Sequence, residues 1–68
     1  MSTDEARILN ALVDGPKATP EVAIRRVDGE GHLGWDMAPL HALWRAGRIR
    51  WDWLAEKWRL PTVGEVAS

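Results

Sequence analysis

The chain has 68 residues, a formal net charge of −1 and no Cys, Phe or Tyr. That length implies one domain, and since chains of this size bury only about 60% of their unfolded surface, stability is narrow. The lack of cysteine excludes a disulfide framework and a thiolate metal site, leaving the five Trp as the main bulky core material, each able to bury roughly 150–250 Å².

No apolar run approaches the roughly 18 residues that a membrane span requires, and no basic segment leads into an apolar one at the N-terminus. These features predict a cytoplasmic protein with no membrane partner. Frequent Ala, Gly, Asp, Trp and Arg beside scarce Asn suggest a GC-rich coding sequence, bacterial or phage.

In chain order, Ser2 and Glu5 form a capping-box pair ahead of Ile8, Leu9, Leu12 and Val13 at helical spacing, and Gly15 and Pro16 end that first helix. Thr19 is a natural N-cap, with Pro20 at the first helical position and Glu21 complementing the helix dipole. A second short helix is therefore predicted, with Ala23, Ile24 and Val27 on one face. The segment 28–34, DGEGHLG, reads as a loop with positive-φ positions. A third helix is expected from an Asp36 N-cap to Gly47, presenting Leu40, Leu43 and Trp44 on one side.

The pattern then changes to period two. Ile49, Trp51 and Trp53 alternate with Arg48, Arg50 and Asp52, and after a turn near residues 54–57, Trp58 and Leu60 flank Arg59. This predicts a hairpin with Trp53 facing Trp58 and Trp51 facing Leu60, which puts both pairs on one apolar face. Residues 61–68 carry no apolar period and read as a flexible tail.

Three short helices followed by a two-stranded hairpin make an α+β fold. The join, Leu40, Leu43, Gly47 and Ile49 in the spacing L-x-x-L-x-x-x-G-x-I, resembles the end of the recognition helix in bacterial and phage winged helix-turn-helix proteins. The resemblance spans roughly residues 4–60, taken with the N-terminus as one domain over 1–60. It implies a core of Ile8, Leu9, Leu12, Ile24, Val27, Leu40 and Leu43 against Ile49, Trp51 and Leu60.

The resemblance also implies double-stranded DNA as partner, in a transcriptional regulator or phage accessory factor. Ala38, His41, Ala42 and Arg45 would form the outward face of the third helix, with His41 and Arg45 in the major groove. Arg48, Arg50, Lys57 and Arg59 would hold phosphates along the wing, and Arg25 and Arg26 would touch the flanking backbone. So small a reading face would call for a homodimer on paired half-sites.

Charge is segregated along the chain: residues 37–60 hold five basic residues against two acidic, and residues 1–36 hold four against seven. A local basic patch suits phosphate contacts whatever the total charge. The alternative is a protein-interaction module that binds a host protein or a second copy of itself through Trp53, Trp58 and nearby arginines, since Trp and Arg are enriched among interface hot spots.

Catalysis finds no foothold: there is no cysteine nucleophile, the few Ser and Thr lie mostly toward the ends, and no glycine loop matches a phosphate cradle. His32 with Asp28 and Glu30 is read as a surface loop, and no metal or cofactor is expected.

Overall fold

The computed structural model describes residues 2–66. The first helix, α1 (Thr3–Val13), forms where the capping pattern places it, with Ser2 Oγ accepting the Glu5 N–H at 3.2 Å. Its apolar stripe buries Ile8 and Leu12. The second helix, α2 (Thr19–Val22), is a single turn whose Glu21 side chain accepts the Ala18 N–H at 2.7 Å.

From here the architecture departs from the expected one. Ala23 is extended (φ −64°, ψ 141°), and the chain runs into β1 (Ile24–Val27), which pairs antiparallel with β2 (Leu33–Asp36). Ile24 and Val27 are β-branched and resist the helix at χ1. Asp28–Gly29 supplies turn chemistry, with Asp28 Oδ1 accepting the N–H groups of Glu30 and His32 at 2.8 and 2.9 Å and Gly31 at φ 84°. What reads in sequence as the end of a helix and a loop is therefore a hairpin.

Chain direction is recovered by α3 (Ala38–Arg45), whose first N–H donates to Asp36 Oδ1 at 3.1 Å. Its end is closed by Gly47 at φ 74°, where the N–H groups of Gly47 and Arg48 return to the carbonyls of Trp44 and Leu43, a reversal that glycine makes without Cβ strain. The second hairpin follows as β3 (Arg50–Asp52) and β4 (Lys57–Arg59). Asp52 Oδ1 closes its turn by accepting from the N–H groups of Leu54 and Ala55.

The register of that hairpin pairs Trp51 with Trp58, two residues from the expected Trp53–Trp58 and Trp51–Leu60 pairs. A shift of two preserves which side chains share a face, so the face was right and the partners were wrong. On its outer side β4 is bridged by Lys17, which exchanges both backbone hydrogen bonds with Trp58 at 2.9 and 2.7 Å. Pro61 and Thr62 then lead into the short α4 (Val63–Val66), and residues 67 and 68 of the expected tail lie outside the described residues.

The order α1-α2-β1-β2-α3-β3-β4-α4, with two separate two-stranded sheets, overturns the winged helix. The second helix, α2, is a single turn and too short to pack along α3, and a hairpin stands between the two. The core is Ile8, Leu12, Val22, Ile24, Leu40, Leu43, Ile49 and Trp58. Leu9, Trp51 and Leu60 pack around it half-buried, whereas Val27, expected inside, and Trp44, expected on the side of Leu40 and Leu43, are 65% and 51% exposed. Val27 is exposed because strand alternation turns it to the face opposite Ile24.

Candidate functional site

The basic residues proposed above to hold DNA are spread over β1, α3 and the second hairpin. Arg25 and Arg26 lie on β1, away from the second hairpin. Arg25 stands 5.0 Å over the ring of Trp35, its cross-strand neighbour. Arg26 bridges the Asp4 carboxylate of α1 and that of Asp36, the latter at 2.6 Å. The hydrogen bond from Arg26, then that from the Ala38 N–H, holds the Asp36 carboxyl below its ordinary range.

On the second hairpin Arg50 and Arg59 are cross-strand partners on the face opposite Trp51 and Trp58, and both serve Glu65. Arg59 donates from Nη1 and Nη2 to the two Glu65 carboxylate oxygens at 2.6 and 2.9 Å, and Arg50 donates to the Glu65 backbone oxygen at 3.3 Å. The bidentate Arg59 contact, reinforced by the Thr62 N–H, lowers the Glu65 carboxyl from 4.5 to about 2. A cleft of about 450 Å³ beside Arg48, Arg50 and Glu65 is lined by this ion pairing. Arg45, Arg48 and Lys57 are exposed and enter no ion pair among the described residues. Ala38 opens α3, and its N–H is taken by Asp36. Two of the five basic residues of 37–60, Arg50 and Arg59, are thus turned to Glu65 within the fold, and the DNA-binding reading falls with the winged helix on which it rested.

What the fold does assemble is an aromatic surface. His41 and Trp44 come from α3, Trp51 from β3, Trp53 from the turn and Trp58 from β4. Their rings run as a chain: His41 to Trp44 at 6.5 Å, Trp44 to Trp58 at 6.1 Å, Trp58 to Trp51 at 4.9 Å and Trp51 to Trp53 at 6.0 Å between centroids. The Trp44–Trp58 and Trp51–Trp53 pairs meet at 74° and 90°, the edge-to-face geometry that opposes a positive ring edge to a negative face. Together with Thr19 these side chains line an open cleft of about 280 Å³.

Burial is graded along the chain. Trp58 forms the floor at 7% exposure, and its Nε1 donates to Thr19 Oγ1 at 2.9 Å, which satisfies the one polar atom that its burial would strand. Trp44 forms one wall and Trp53, 82% exposed, forms the rim beside Leu54, 99% exposed at the hairpin tip. Trp44, grouped in sequence with Leu40 and Leu43, is a surface wall, and Trp58, offered to a partner in the protein-interaction alternative, is core, held there by Lys17 and Thr19. The strand signal at residues 24–36 was available in β-branched Ile24 and Val27 before Asp28–Gly29 and in Trp35 after it, but Thr19-Pro20-Glu21 masked it with a helix start.

On the first hairpin, His32 Nδ1 lies 3.5 Å from Asp28 and 3.8 Å from Glu30, although Asp28 is already used to close the turn. Comparison with protein-family models, curated proteins and solved structures finds no match to this chain.

Proposed function

We propose that this domain is a non-enzymatic protein-interaction module whose contact surface is the aromatic cleft between α3 and the β3–β4 hairpin. The observation that carries this reading is the continuous ring chain from His41 to Trp53, anchored at Trp58 and open to solvent at Trp44, Trp53 and Leu54. Those last three side chains leave on the order of 500 Å² of apolar surface in water, the size of patch that marks interaction sites on soluble proteins. The domain supports the patch rigidly: the floor Trp is buried and hydrogen-bonded, so little ordering remains to oppose binding.

An apolar, extended polypeptide segment is the class of ligand that fits. The cleft walls are rings, its polar groups are few, and no Lys or Arg lines it. Selection from a phage-displayed random peptide library tests this. Enriched peptides should be rich in apolar residues, should lose at least tenfold in affinity to the Trp44→Ala/Trp53→Ala double variant, and should bind almost equally at low and high salt. Failure to enrich any peptide, together with a mass that stays monomeric at all concentrations, would remove the reading.

A further inference from the structure

The edge of β3 identifies which polypeptide the aromatic surface can take. Trp58 uses both its N–H and its C=O on Lys17, on the side of β4 away from β3. In an antiparallel ladder the residues that bond outward alternate with those that bond inward. Arg50–Arg59 and Asp52–Lys57 are therefore the hydrogen-bonded pairs of the hairpin, and Trp51–Trp58 is the non-bonded pair, consistent with its close ring separation of 4.9 Å. The N–H and C=O of Trp51 consequently point out of the free edge of β3, where no described residue receives them. An edge of this kind is a template for a further strand.

We propose that two copies of this chain associate by antiparallel pairing of β3 with β3, centred on Trp51, to form a continuous sheet across a twofold axis. The inference rests on the protein-interaction reading above and names its partner. Three observations select this arrangement. Symmetry requires the outward-bonding residues, Ile49, Trp51 and Trp53, to pair among themselves. Centring on Trp51 places Arg50 opposite Asp52 of the second copy, and Asp52 opposite its Arg50, so both polar-face pairs across the axis carry opposite charges. Moving the register by one pairing step in either direction sets Arg50 against Arg50 or Asp52 against Asp52. The strand sequence Arg50-Trp51-Asp52 is thus complementary to itself in one register alone. The same register carries Trp53, the most exposed Trp of the chain, to the position opposite Ile49 of the second copy and sets the two aromatic clefts along one face.

The absence of native cysteine permits a clean test. Full-length Arg50→Cys and Asp52→Cys variants, each first shown to fold by circular dichroism, are mixed in equal amounts and oxidised. Facing residues of a non-hydrogen-bonded antiparallel pair stand about 4.5 Å apart at Cα, within disulfide range. The expected product is the mixed dimer, identified by mass, in several-fold excess over either homodimer, because like positions lie further apart across the axis. In parallel, the mass of the unmodified chain should rise toward the dimer between about 1 µM and 1 mM, with Trp53→Lys weakening association at least tenfold. Random crosslinking with equal homodimers, or a monomer at every concentration, overturns the pairing. If the monomer persists while the peptide selection still succeeds, the self-pairing falls and the interaction surface stands; if both fail, both readings fall.

Discussion

The two hairpins of this domain are built from the same device, an antiparallel ribbon closed by an Asp side chain, yet they are attached to the body by opposite means. The β1–β2 hairpin keeps only Ile24 buried; Val27, Leu33 and Trp35 are all more than half exposed, and its ionic link to α1 is the pair of Arg26 with Asp4, beside an internal pair with Asp36 of β2. The β3–β4 hairpin places Trp58 in the core, hydrogen-bonds it to Thr19 and pairs its backbone with Lys17. Exposed ion pairs are screened and contribute little, whereas a buried Trp contributes area, dispersion and a satisfied donor together. The difference assigns roles: the second hairpin is integral to folding and can present a fixed surface, while the first is an appendage.

Substitutions can break that contrast. Trp58→Ala should have the largest effect, about 3–5 kcal/mol lost in chemical denaturation, enough to unfold a domain this small; retained cooperative folding would show that the second hairpin is not integral. Gly47→Ala, at the φ 74° join that feeds α3 into that hairpin, should cost about 1 kcal/mol by the same measurement. Arg26→Gln should leave the global transition in place and instead speed hydrogen exchange within residues 24–36; if exchange in the second hairpin rises equally, the two are not independent.

Acid should act on the second hairpin's polar face. Because the folded-state value of Glu65, about 2, lies below its ordinary 4.5, its pairing with Arg59 contributes fully above about 4.5 and is lost as pH falls toward 2. A carboxyl NMR titration should find the midpoint near 2, and one near 4.5 would mean the pair does not persist in solution. The smallest effect on stability belongs to Trp53→Ala, within about 0.5 kcal/mol as for other surface positions, although the same change should weaken peptide binding. That separation sharpens the distinction between the Trp that holds the fold and the Trp offered to a partner.

Local signals were legible in the sequence. The Ser2 cap, the Gly47 reversal and the alternation through Ile49, Trp51 and Trp58 each depend on residues close together in the chain, and each produces the expected turn, helix end or strand. The capping residues at 19–21 also act locally, but they specify only a helix start. They could not say that the helix would last one turn, because its continuation competes with a β1–β2 pairing whose ion pairs reach Asp4, more than twenty positions away.

The sequence by itself determined a small single-core domain, a leucine-anchored helix running through glycine into a Trp-bearing hairpin, and which side of that hairpin is apolar. Only the tertiary structure decided which Trp is core and which is surface, since that depends on Lys17 and Thr19 meeting Trp58 across some forty residues. It also decided what the arginines do: a run of basic residues records charge, but whether that charge is available to a partner depends on the carboxylates that folding brings beside it, here Asp4, Asp36 and Glu65.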